Sequence, residues 1–107
     1  MAAPFDKDDY HPLDTFAFEA LAVAGTSVPL TATTYDPGTG TPALMAHVQC
    51  ETAQVRYRID GTDPTATVGT ILDPGDELIV WGTMDIQTIE FIRTGGVSAT
   101  LNVHYAR

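Results

Sequence analysis

Val55-Arg56-Tyr57-Arg58-Ile59-Asp60-Gly61-Thr62-Asp63-Pro64-Thr65 is an alternating run that ends in a cluster of turn-forming residues. Val55, Tyr57 and Ile59 repeat at the two-residue period of a β-strand, so they share one face and Arg56 and Arg58 stand side by side on the other. Two of the five Lys and Arg residues therefore fall on one exposed patch. Asp60-Gly61 and the threonines Thr62, Thr65 and Thr67 then read as a loop whose side chains bond to their own turn.

On the N-terminal side, Ala43 to Glu51 alternates in the same way. Leu44, Ala46, Val48 and Cys50 occupy one face and Met45, His47 and Gln49 the other, the pattern of a half-buried strand. Phe16 to Ala24 reads as a strand through Phe16, Phe18, Leu21 and Val23, although its propensities also allow a short helix. After Gly25-Thr26-Ser27, the stretch from Val28 to Thr34 reads as a further strand, with Pro29 at its start or on a sheet edge. Tyr35 to Pro42 holds two glycines and two prolines in eight residues, which makes it a projecting loop.

On the C-terminal side, Val68–Leu72 and Glu77–Trp81 flank Asp73-Pro74-Gly75-Asp76, where Pro and Gly sit as a type II turn requires. Gly82 to Asp85 is a short link. Ile86–Thr94 and Ser98–Tyr105 supply the last two strands, around Gly95-Gly96. Paired as a hairpin through a loop that includes Val97, they set Phe91 against Leu101 and Ile89 against Val103; a shorter loop would oppose apolar to polar. Seven or eight short strands at this spacing, with no long amphipathic helix and no internal repeat, predict an all-β protein. The expected architecture is a single jelly-roll-like β-sandwich of antiparallel strands over residues 14–107. Residues 1–13, rich in acids and carrying Pro4 and Pro12, read as an extended arm anchored by Phe5 and Tyr10, or else as a frayed terminus.

At 107 residues the chain is sized for one domain, and 44% hydrophobic against 18% charged residues is enough for a folded core. Fourteen acids against five Lys and Arg leave a net charge of -9, which repels phosphate backbones and anionic lipid. Nucleic acid and membrane are therefore not expected partners. The single cysteine, Cys50, precludes an internal disulfide and reads as a small core hydrophobe. The N-terminus lacks the basic start and apolar run of a signal peptide, so the protein is expected in a cytoplasm unless an assembly carries it out.

Sites of chemistry are hard to find in this chain. His11, His47 and His104 are scattered, and the strand histidines read as residues of a less buried face, with His104 available for a subunit contact. Asp60, Asp63, Asp73 and Asp76 lie in loops but lack the ordering of a calcium loop, and turn chemistry accounts for them. Phosphate-binding glycine motifs and nucleophile signatures are absent from the sequence. No catalytic residue, cofactor or metal site is expected. Trp81, Tyr57, Tyr35 and Tyr105 could form a sugar-stacking platform, or else belong to the core or an interface.

The half of the chain from Val55 to Arg107 resembles small structural proteins of tailed bacteriophages. The resemblance is carried by Arg56-Tyr57-Arg58, Asp60-Gly61-Thr62-Asp63-Pro64-Thr65, Gly69, Gly75-Asp76, Phe91-Ile92-Arg93 and Leu101-Asn102-Val103-His104-Tyr105, and more weakly by the Leu30–Tyr35 stretch. It implies a virion component, with a jelly-roll decoration or cement protein of the head as the leading expectation. Such a protein would be made in the host cytoplasm and sit on the capsid surface. It would grip the major capsid protein and copies of itself, the latter in a threefold arrangement. The proposed contacts are Phe5 and Tyr10 in the arm, Tyr35 and Pro37 in the loop, Arg56 and Arg58 paired with acids of a neighbour, and His104. The bland account of the arginines is a solvated face balanced by nearby Asp. A neck, tail or tail-fibre component and a carbohydrate-binding module are the alternatives, since the D-G-T-x-P-T corner also looks like one found in carbohydrate-associated sandwiches.

Overall fold

The computed structural model describes residues 13–107. Their elements are β1 (Thr15–Val23), β2 (Val28–Pro29), α1 (Ala32–Tyr35), β3 (Met45–Glu51), β4 (Val55–Arg58), β5 (Thr70–Leu72), β6 (Glu77–Trp81), α2 (Thr83–Thr88), β7 (Glu90–Arg93) and β8 (Ala99–Ala106). The strands form two four-stranded sheets, ordered β1-β8-β3-β6 and β2-β7-β4-β5. Every pairing is antiparallel.

This order has a simple origin. β1 pairs with β8, β2 with β7, β3 with β6 and β4 with β5, as if one long hairpin bent at the β4–β5 loop had been rolled into two layers. That wrapping is the jelly roll, and it confirms the expected fold class. The inner faces are apolar at alternate positions. Ala46, Val48, Val80, Leu101, Val103 and Tyr105 of the first sheet face Val55, Leu72 and Phe91 of the second in one buried cluster. Full burial of a side chain such as Phe91 contributes about 1.5–3 kcal/mol.

Several local expectations fail for identifiable reasons. Val28 to Thr34 is not one strand: β2 ends at Pro29 and the chain turns into α1, where Tyr35 N donates to Thr31 O and Asp36 N to Ala32 O. Leu30 and Tyr35 are both buried but lie five residues apart, a spacing that an extended strand cannot bring to one face. Ile86 to Thr88 belongs to α2 instead of the last-but-one strand, because Ile86 and Ile89 are both fully buried at helical spacing. Ile86 N donates to Gly82 O and Ile89 N to Asp85 O.

The proposed β7–β8 hairpin is absent. β7 lies between β2 and β4, whereas β8 lies between β1 and β3, so residues 94–98 carry the chain from one sheet to the other. Phe91 and Ile89 do share the core with Leu101 and Val103, but across the sandwich and not along a ladder. The type II turn at Asp73–Asp76 is present, with Asp76 N donating to Asp73 O at 2.9 Å and Gly75 at φ +90°.

Candidate interaction surfaces

The corner that follows β4 is built from the side chains of its own residues. Arg56 donates from Nη1 to Gly69 O at 2.7 Å and from Nε to Ala66 O at 3.3 Å. Arg58 meets Asp60 through two bonds, Nε to Oδ1 at 3.0 Å and Nη2 to Oδ2 at 2.5 Å. Arg58 accordingly holds the Asp60 carboxyl below the usual carboxylate range. Asp60 also accepts from Thr62 N, and Thr65 Oγ1 accepts from Thr67 N and Val68 N. Gly69 is required where the loop rejoins the sheet: its φ is +140°, and a Cβ there would stand 3.0 Å from Tyr57 O. Tyr57, Ile59, Val68 and Thr70 line a shallow open groove of about 500 Å³ beside the Arg58–Asp60 pair.

The arginines are therefore engaged within the chain. They share the outer face of the second sheet as the alternation requires, yet each guanidinium is bonded to the loop that follows it. Arg58 is balanced by Asp60, whereas Arg56 is held by the backbone carbonyls of Ala66 and Gly69 and by no carboxylate. Tyr35, expected in a projecting loop, is instead buried, with its ring 6.1 Å from that of Tyr105. Its phenol is raised above the ordinary value by burial and by the neighbouring Asp36. Pro37 is exposed in the loop 36–42, which Arg107 pins by donating to Thr39 O and Thr41 O. The arm candidates Phe5 and Tyr10 lie outside the described residues.

His104 lies on the outer face of the first sheet, where sequence alternation and register place Trp81, Met45 and Ala106 in one row and Ile79, His47, His104 and Phe18 in the next. The ring centroids of Phe18 and His104 are 4.9 Å apart and those of His47 and His104 6.3 Å. Burial, and secondarily the His47 charge, lower the His104 imidazole from its ordinary value. The face is less open than the alternation of β3 implied. Met45 is fully buried beside Leu13 and Ile79, and His47, also buried, sets Nε2 2.5 Å from Glu77 Oε1. At the two edges of this face Phe18 is 53% and Trp81 50% exposed.

A further polar cluster has little signature in the sequence. Glu19 reaches from β1 to accept from Thr31 N at 3.2 Å, Thr31 Oγ1 at 2.6 Å and the Tyr105 hydroxyl. It ties α1 to β1 and β8, and burial with the adjacent carboxylate drives the Tyr105 phenol strongly upward. A lone Glu in an apolar strand was its only signal. Cys50 is a core residue as read: its Sγ lies 3.1 Å from Ala53 O, and burial followed by the Asp76 and Asp73 charges pushes the thiol up to about 11. The aromatic platform does not assemble. Tyr57 packs inward 6.1 Å from Phe91, Trp81 lies on the outer face of the other sheet, and Tyr35 and Tyr105 are in the core.

Among the described residues, no group of three or more His, Cys, Asp or Glu is placed to hold a metal ion. No helix among them is long and apolar enough to cross a membrane. No protein-family model, curated protein or solved structure matches the chain.

Proposed function

We propose that this protein is a non-enzymatic structural subunit of a tailed-bacteriophage particle, a decoration or cement protein on the outside of the assembled head. In this reading it is synthesised in the host cytoplasm and binds the major capsid protein together with copies of itself, in a threefold arrangement. It contributes contact area and no reaction. The observation that carries the reading is the fate of the residues that resemble phage structural proteins. Arg56, Arg58, Asp60, Thr65 and Gly69 join in one hydrogen-bonded corner, so these residues of the motif serve to build the strand-to-loop turn of a jelly roll. A motif of that kind suits a building block, and an acidic surface suits a protein displayed at high local density.

The test is binding to particles. Purified protein should attach to expanded heads that lack it and ignore unassembled coat subunits, and electron microscopy should place it at repeated positions on the shell. Density only at the neck or tail would replace the head assignment. A turnover that disappears with a substitution at His47 or Asp63 would end the structural reading altogether.

A further inference from the structure

The two sheets end very differently. In the second sheet the edge strands are β2, two residues long and containing Pro29, and β5, three residues long. Short strands and proline are the usual means of stopping an edge from pairing with another chain. In the first sheet the edges are β1, nine residues, and β6, five, and neither contains proline or lysine. Among the described residues, the backbone ladder of Phe16–Val23 runs to β8 and that of β6 to β3, and no other backbone group bonds to the outer side of Phe16–Val23 or of β6.

Charge and exposure agree with the backbone. The chain has fourteen acids, but β1 holds one, Glu19, whose carboxylate is committed to Thr31 and Tyr105, and β6 holds one, Glu77, at its far end beside His47. Two copies meeting along these strands bring no free carboxylate against another at the centre of the contact. The two half-exposed aromatic residues of the sheet, Phe18 and Trp81, sit on these same two edge strands and on the same outer face. The four strands alternate in direction, so β1 and β6 run opposite ways and the β6 of one copy can continue the sheet of the next as an antiparallel neighbour of β1.

We infer that copies of this chain join head to tail, with β1 of one pairing with β6 of the next, so that the first sheet runs on between subunits. The junction so formed brings the Phe18 and Trp81 strands together and pairs the outer sides of both, which a twofold pairing of β1 with itself would not. Head-to-tail contacts close into rings or run on as filaments according to the rotation per step. The inference concerns the isolated protein and stands or falls separately from any attachment to a shell.

The test uses the full chain and two variants at exposed positions, Ala20→Lys to block the β1 edge and Trp81→Lys to block β6. Analytical ultracentrifugation of the wild type should show an oligomer whose dissociation constant rises by at least about tenfold in either variant, with thermal unfolding of the subunit little changed. Mixing the two variants should restore a dimer and nothing larger, because one copy keeps an intact β6 and the other an intact β1. A wild type that stays monomeric up to about 200 µM overturns the inference, since a specific interface should be populated there. So does an oligomer indifferent to both substitutions. A mixture that remains monomeric overturns the head-to-tail geometry.

Discussion

The two sheets share a core but are held together by different means. The first has strands of nine, eight, seven and five residues, and its backbone ladders account for most of its order. The second has strands of two, four, four and three residues, too short to rely on ladders alone. Side-chain bonds tie its strands to the adjoining loops, whereas those of the first sheet, such as Asn102 to Glu51 and His47 to Glu77, run between its own strands. Arg56 binds the β4–β5 loop, and Ser27 donates to Glu90 at 2.9 Å. Gln54 bridges Thr94 and Asp73 at 2.8 and 2.7 Å. One layer is a platform with long edge strands, and the other a layer with short ones tied to the adjoining loops.

The largest effect should come from the core that both layers share. Phe91→Ala removes a fully buried ring from the middle of the second sheet and should cost about 3–5 kcal/mol in urea unfolding. A loss below about 1 kcal/mol would mean that the second sheet is not part of the cooperative unit. Gly69→Ala should cost about 1–3 kcal/mol, since it forces a Cβ into positive φ and against Tyr57 O. Its amide-exchange signature should be confined to residues 61–70.

Arg56→Gln should cost about 1 kcal/mol and act locally, because the bonds it loses go to a partly exposed loop. Protection of amides in residues 61–69 should fall while β1, β3 and β8 stay unchanged. Equal loosening of both sheets would erase the distinction drawn between them.

The smallest effect is a pH dependence on the outer face of the first sheet. The His104 imidazole, packed on Phe18 and facing His47 with Glu77 beyond, is harder to protonate folded than unfolded. Between its lowered folded value and the unfolded value of about 6.5, the unfolded chain binds more protons. The contribution is therefore complete above the unfolded value and is lost as pH falls from there through the lowered folded value. Thermal melts from pH 7.5 to 5.5 should show a shallow decline that His104→Gln flattens; a decline of the same size in the variant would assign it to other groups.

Much of this architecture was legible in the chain because strands announce themselves locally. The alternation of Val55–Ile59 and Ser98–Tyr105, the Asp73-Pro74-Gly75-Asp76 turn and the Asp60–Thr67 loop all depend on near neighbours, and each is found where it was read. The errors share a different cause. Ile86 and Ile89 fit a strand or a helical turn until the core requires both, and Tyr35 looks like loop until α1 swings it inward. The site candidates fared worse. Arg56 and Arg58 were visible as a pair, but their commitment to Gly69, Ala66 and Asp60 depends on how the following loop folds back.

By itself the sequence determined where strands such as β4 and β8 alternate and where the chain turns between them, because the two-residue period of a strand and the conformational demands of Pro and Gly are local properties. It did not determine every inward residue, since Phe18 and Leu44 are exposed while Met45 and His47 are buried. Only the tertiary structure decided which strand lies beside which. Ladder partners such as β1 and β8 are some eighty residues apart, and a period common to all strands does not name a neighbour. For the same reason the long edges of the first sheet, and with them the surface on which association is proposed, exist only once the chain has rolled up.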